Sequence, residues 1–191
     1  MYKIALTGGI GTGKTYLSKH FTHMGIPVFY ADDEAKKLYE DVNFQQKLMA
    51  LFDDPALISG QKVDISVLSR LVFGNEENLQ KLNRLVHPAV MERFVSWAER
   101  QQASAVMMES AIVFEAGLTK YFDKIIVVDA PLELRILRVQ ERNPNLSRED
   151  ILRRMSHQMS QEEKCQRADL VICTGETYAM SRKFINRESL F

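Results

Sequence analysis

Short apolar runs alternate along this chain with stretches of helical periodicity. Residues 3–6, 27–30, 105–108, 124–129 and 170–173 carry β-branched or large apolar side chains, mostly without polar alternation. Strands buried on both faces have that pattern. Between the runs, apolar residues recur at helical spacing. Leu17, Phe21 and Met24 follow at i, i+4 and i+7, one stripe of a first helix that opens after Gly13 and stops at Gly25. Strands and helices in this alternation predict a parallel sheet flanked by helices.

Residues 33–100 break the rhythm. They are almost wholly helical by pattern, without a convincing strand, and too long for a simple crossover. They predict a helical subdomain at the edge of the sheet. Within it, 78–86 and 89–100 read as two helices divided by His87-Pro88, because proline starts a helix well. Further on, 132–142 is helical and ends at Asn143-Pro144-Asn145. Ser147 then opens a helix over 148–158, with Asp150 three residues on in a capping-box position.

Composition narrows the reading. The 191 residues suit one α/β domain with inserted subdomains, and a hydrophobic share of 46% predicts a packed core. Lys+Arg and Asp+Glu balance at 25 each, so there is no bulk attraction to nucleic acid or to an anionic membrane. Any phosphate binding has to come from local clusters. Cys165 and Cys173 are too few for a disulfide scaffold and read as reduced thiols. No apolar stretch is long enough for a signal peptide or a membrane span, so the expected location is the cytoplasm.

The strongest chemical signal is Gly8-Gly9-Ile10-Gly11-Thr12-Gly13-Lys14-Thr15, which satisfies G-x-x-x-x-G-K-[ST] between a buried strand and an amphipathic helix. Glycines let the backbone wrap until successive N–H groups point at phosphate oxygens, and the helix start adds its positive dipole end. Lys14 is placed to bridge the β- and γ-phosphates, and the Thr15 hydroxyl to join Mg²⁺. A guanine-reading switch is disfavoured: Thr119-Lys120 is followed by Asp123 one position too far, and no Asp-x-x-Gly occurs.

Asp32 follows the second strand, where ligands collect in open parallel sheets. It could take the proton of an attacking hydroxyl, or either Asp32 or Asp33 could merely cap a helix beginning at Glu34. Glu109 and Asp129 each close a strand on a carboxylate of the kind that steers Mg²⁺, and position alone leaves both open. Glu115 reads by itself as structural. Arg138 and Arg142 share a helix face, and Arg153-Arg154 follow on the next helix. Together they suit a lid that closes over a nucleotide and excludes water; the alternative is a charged surface with Glu141 and Glu149 as partners. His20 and His23 read as a solvated face, His157 has no evident partner, and His87 is either functional or a cap.

Taken together, several segments resemble the dephospho-coenzyme A kinase family. They are Ala5 to Thr15, Ala31-Asp32, Arg70-Leu71-Val72-Phe73, Leu82-Asn83 with His87-Pro88, Phe114-Glu115, Arg138 to Arg142, Arg154 with Gln158, and Ala168 to Ile172. The resemblance implies transfer of phosphate from ATP, with Mg²⁺, to the ribose 3′-hydroxyl of dephospho-coenzyme A. It implies a P-loop three-layer α/β fold like that of nucleoside monophosphate kinases: a five-stranded parallel core at about 1–32, 101–137 and 161–191, an acceptor-binding helical insertion at about 33–100, and a helical lid at about 138–160. Asp32 matches the family's base, and with it Lys14, Arg138 and Arg142 are the expected catalytic residues. ATP would be held by Gly8, Gly9, Gly11, Thr12, Gly13, Lys14, Thr15, Tyr16, Arg138 and Arg154. Asp32, His87 and Glu115 would meet the acceptor, Thr15 would bind Mg²⁺, and Glu109 could steer the ion without touching it. The oligomeric state stays open. This chain departs from the family pattern at Glu109 for Asp, Ala111-Ile112-Val113 for Pro-Leu-Leu, Tyr30 for Asp, Arg135 for Gln and Thr174 for Asn. Two other readings stay in view: a kinase for another small hydroxyl or nucleoside monophosphate, and an ATP-binding module without turnover.

Overall fold

The computed structural model describes residues 1–175. The final part of the core segment expected at 161–191 lies outside them. The chain divides into two compact units, Met1–Phe29 with Gln101–Phe191, and Tyr30–Arg100.

The first unit is built on a five-stranded parallel sheet in the order β2-β5-β1-β6-β7, an α/β P-loop architecture. Its strands are β1 (Tyr2–Thr7), β2 (Val28–Tyr30), β5 (Ala105–Glu109), β6 (Lys124–Asp129) and β7 (Leu170–Cys173). The central strand β1 pairs Leu6 with Glu109 on one side and with Ile126 on the other, and β6 pairs Val127 with Val171. Ile4, Leu6, Met107, Ile126 and Val128 are fully buried there. Helix α1 (Lys14–His23) lays Leu17 and Phe21 on this core, with Met24 packed at its edge, as its stripe predicts. Burying the large side chain of Phe21 is worth about 2–3 kcal/mol, which makes this face the natural anchor of the helix.

Helices α6 (Leu132–Arg142), α7 (Arg148–Ser156) and α8 (Gln161–Gln166) also belong to the first unit. The Ser147 hydroxyl and the Asp150 carboxylate form both halves of the expected capping box at the start of α7. That helix stops at Ser156, two residues short of the predicted end. Cys165 and Cys173 are free thiols. Among the described residues, no helix is long and apolar enough to cross a membrane.

The second unit holds α2 (Ala31–Leu38), α3 (Val42–Phe52), α4 (Ile65–Val72) and α5 (Glu76–Glu99). Two expectations need correction here. The helices predicted at 78–86 and 89–100 are one helix, α5, with Pro88 inside it. Proline forfeits one backbone hydrogen bond, but burial of Leu82 before it and Val90, Met91 and Phe94 after it holds the helix together through the break. The region is also not free of strand: β3 (Ile58–Ser59) and β4 (Lys62–Val63) form a small antiparallel hairpin turning at Gly60, which has φ 65°. Two-residue strands are too short to leave a period in the sequence.

Candidate active site

The phosphate loop runs from Gly8 to Thr15, between β1 and α1. Gly11 and Gly13 show what its path requires. Gly11 has φ 81°, and a Cβ there would lie 2.4 Å from the Arg135 carbonyl oxygen. Gly13, at the N-cap of α1, is left-handed with φ 95° and ψ 19°. No side chain caps the start of α1, and no acidic residue stands in its first turn, so the helix presents its positive end to the loop. Lys14 folds back over its own loop, donating from Nζ to the carbonyls of Gly8 at 2.9 Å and Gly9 at 3.0 Å. Tyr16 is 42% exposed on the first turn.

Thr15 donates its hydroxyl to Oε1 of Glu109 at 3.0 Å, while Oε2 of Glu109 is buried without a hydrogen-bond partner among the described residues. An alcohol oxygen beside a carboxylate with an unused buried oxygen is a hard-oxygen donor set of the kind Mg²⁺ takes. Asp129, the other carboxylate at a strand end, instead acts electrostatically on Arg135.

Arg138 of α6 reaches the loop from outside. Its Nη1 donates to Thr174 Oγ1 at 2.9 Å and, more weakly, to the carbonyls of Thr12 at 3.3 Å and Gly11 at 3.4 Å. Thr174 in turn donates to the Thr12 carbonyl at 2.6 Å. Arg142 is exposed, with Nε on the Arg138 carbonyl at 3.3 Å, and Arg154 is exposed in the last turn of α7. The close ion pairs of this surface run to Glu133 and Asp150, while Glu149 acts on Arg148 electrostatically. Glu133 takes two bonds from Arg148, at 2.6 and 2.7 Å, and Asp150 takes one from Arg153 at 2.6 Å. Arg148 and Glu133 sit on successive helices and fit as a fork on a carboxylate, a geometry that residue spacing alone does not disclose. The paired guanidinium holds the Glu133 carboxyl below its ordinary range.

Glu115 is drawn into the first unit's interior bonding. Its Oε1 accepts from Nζ of Lys164 at 2.8 Å and from the Met159 amide at 2.9 Å. Lys164 is fully buried and donates also to the Ala111 carbonyl at 2.7 Å. This is the structural role that the position of Glu115 suggests.

Asp32 and His87 belong to the second unit. The capping alternative for Asp32 does not hold. Helix α2 begins at Ala31, so Asp32 and Asp33 stand within its first turn, and neither caps it. Acidic residues are favoured there by the helix dipole. Asp33 pairs with Lys36 at 2.9 Å, while Asp32 is exposed. His87 is half-buried within α5, and burial lowers its pKa.

Sequence reasoning gave no role to four side chains that shape this site, although Gln158 stands in one of the family-like segments. Arg135 is 8% exposed and donates from Nε to the Ile10 carbonyl at 2.9 Å. Burial pushes its guanidinium pKa down, against the opposing pull of Asp129. Gln158 and Gln161 bind loop amides, and Lys164 is the buried cation. Arg135 stands out in the sequence as a departure from the family pattern. Lys164 sits in the run Gln161-Glu162-Glu163-Lys164, which reads as a solvated face.

Comparison with known proteins adds to this geometry. The sequence model of the family described as dephospho-CoA kinase matches residues 2–178. A Bacteroides fragilis protein named dephospho-CoA kinase is 38% identical over 171 residues, covering 89% of this chain and 83% of that protein. A solved structure from Thermus thermophilus superposes with a TM-score of 0.82 at 35% identity, over 94% of this chain and 91% of the other. The dephospho-CoA kinase of Campylobacter jejuni gives a TM-score of 0.68 at 27% identity, over 95% and 92%.

Proposed function

The chain belongs to the dephospho-CoA kinase family and is an ATP-dependent phosphotransferase of coenzyme A biosynthesis, and we propose that it phosphorylates the ribose 3′-hydroxyl of dephospho-coenzyme A with Asp32 as the base. The observation that carries the reading is the phosphate loop, with an uncapped helix start, Lys14 and a Thr15–Glu109 pair at one end of the sheet.

In this reading the loop amides and the first turn of α1 hold the β- and γ-phosphates, and Lys14 leaves its own carbonyls to neutralise them. Thr15 would hold Mg²⁺, with Glu109 steering it through the Thr15 hydroxyl, and the ion when bound neutralises charge on the transferring group. Asp32 accepts the proton of the acceptor hydroxyl. Arg138, Arg142 and Arg154 answer the charge that spreads over the phosphoryl oxygens, and residues 138–160 act as the lid that excludes water. Residues 33–100, His87 among them, receive the acceptor, and Glu115 of the first unit, held by Lys164, is a further acceptor contact in this reading. The substrates are small molecules, and we place the reaction in the cytoplasm.

Purified protein offered ATP and Mg²⁺ with dephospho-coenzyme A, AMP, CMP or shikimate tests this, with ADP release and ³¹P spectra of the product as readouts. The expected result is turnover with dephospho-coenzyme A and a new 3′-phosphomonoester. Turnover only with another acceptor, or none with any, would overturn the reading.

A further inference from the structure

The phosphate loop is gripped from outside by residues of α6 through α8, and the grip converges on Ile10. The Ile10 amide donates to Oε1 of Gln158 at 3.0 Å, and its carbonyl accepts from Nε of Arg135 at 2.9 Å. Its side chain packs on the cluster of Ile136, Val139 and Ile151 that joins α6 to α7. One residue earlier, the Gly9 amide donates to Oε1 of Gln161 at 2.8 Å, and Nε2 of Gln161 donates to the Val128 carbonyl in β6 at 2.9 Å. The space beside Gly9 is full: a Cβ there would meet Nη2 of Arg135 at 2.4 Å and Oε1 of Gln161 at 3.0 Å. Amide, carbonyl and side chain of Ile10 are thus all held by the segment that carries Arg138, Arg142 and Arg154.

Phosphate affinity in such a loop comes from amides already aimed before the nucleotide arrives, so whatever fixes the backbone removes an ordering cost from binding. The chemistry of the grip suits that task. The two side chains that accept from the backbone amides of Gly9 and Ile10 are neutral amides, which take an N–H without placing negative charge beside those amides. A glutamate would accept as well and repel the ligand. We propose that Gln158 and Gln161 are positioning residues for ATP binding, and that Ile10 is the point through which the α6–α8 segment and the phosphate loop are energetically coupled. The inference rests on the phosphotransferase reading for the identity of the nucleotide.

The test measures equilibrium binding of ATP with Mg²⁺, without acceptor, alongside melting temperature and steady-state kinetics. Gln161→Met keeps the shape and loses the hydrogen bonds to Gly9 and Val128, so its Kd for ATP should rise about tenfold. Gln158→Met should rise several-fold, and KM for dephospho-coenzyme A should stay near parental in both. Gln158→Glu, which keeps the acceptor and adds a charge, should retain the parental melting temperature yet weaken ATP binding; it serves also if a Met variant does not fold. Ile10→Ala should weaken ATP binding less than additively with Gln158→Met, because both act on one residue. Glu162→Gln, exposed on the same helix, should match the parent. The proposal is overturned if Gln161→Met and Gln158→Glu bind ATP like the parent, whatever their stability. Because binding is read without acceptor, a protein that binds ATP but ignores dephospho-coenzyme A would sink the proposed reaction and leave this inference standing.

Discussion

The Thr15 hydroxyl donates to Oε1 of Glu109 at 3.0 Å, so the last residue of the phosphate motif and the last residue of β5 meet across the top of the sheet. β1 and β5 are paired neighbours with Leu6 opposite Glu109, which carries the strand-end carboxylate to the start of α1. The second carboxylate oxygen is buried and unpaired among the described residues, a costly arrangement that a cation would relieve.

Glu109→Gln should therefore raise the Mg²⁺ concentration needed for half-maximal turnover by about tenfold, in the range that loss of an oriented supporting carboxylate costs. Nucleotide binding without metal should change little. A magnesium titration of turnover checks this, and an unchanged midpoint would assign the steering role elsewhere, with Asp129 the next carboxylate to test.

Asp32→Asn should fold normally and bind ATP nearly as the parent does, while turnover falls by about a hundredfold or more, the scale of a lost general base. Asp32 makes no capping bond to α2, so the substitution removes no structural hydrogen bond from the helix start. Parental turnover in this variant would leave the first-turn charge as the whole role of Asp32.

Much of this arrangement is legible in residue order because local rules produce it. Runs without alternation marked the five sheet strands, and the glycines with Lys14 and Thr15 marked the loop. What stayed hidden depends on long-range packing. Pro88 reads as a boundary because proline lacks an N–H, and only the burial of Phe94 and Val90 shows why α5 continues through it. Lys164 looks solvated among glutamates, yet the fold brings it onto Glu115 and Ala111. Gln161 lies far along the chain from the loop it holds with nothing in the sequence to mark it, and Gln158 is marked only by a family-like segment that does not disclose its contact with the loop.

Lys164→Met should destabilise the protein by about 3 kcal/mol, the low end for breaking a buried ion pair, since Glu115 retains 23% exposure and can recover some water. Glu115→Gln should cost at least as much, because the fully buried ammonium loses its counter-charge although the amide oxygen still accepts from Lys164 and from the Met159 N–H. Denaturant unfolding of both variants checks the order. Equal stability for Lys164→Met and the parent would contradict a bonded, fully desolvated ammonium.

His87 predicts a pH signature confined to the acid side. Burial within the second unit disfavours its charged form, so its folded pKa lies below the ordinary 6.5. As pH falls, the unfolded chain then takes up the proton first. The neutral imidazole costs nothing above about pH 7, and stability is lost progressively as pH drops through 6.5 toward the lowered folded value. His87→Gln removes that proton uptake. Its unfolding free energy should therefore fall less steeply than the parent's between about pH 7 and pH 5, in denaturant titrations run at each pH. If the gap between variant and parent is the same at both ends of that range, His87 does not titrate with folding, and its burial contributes only packing.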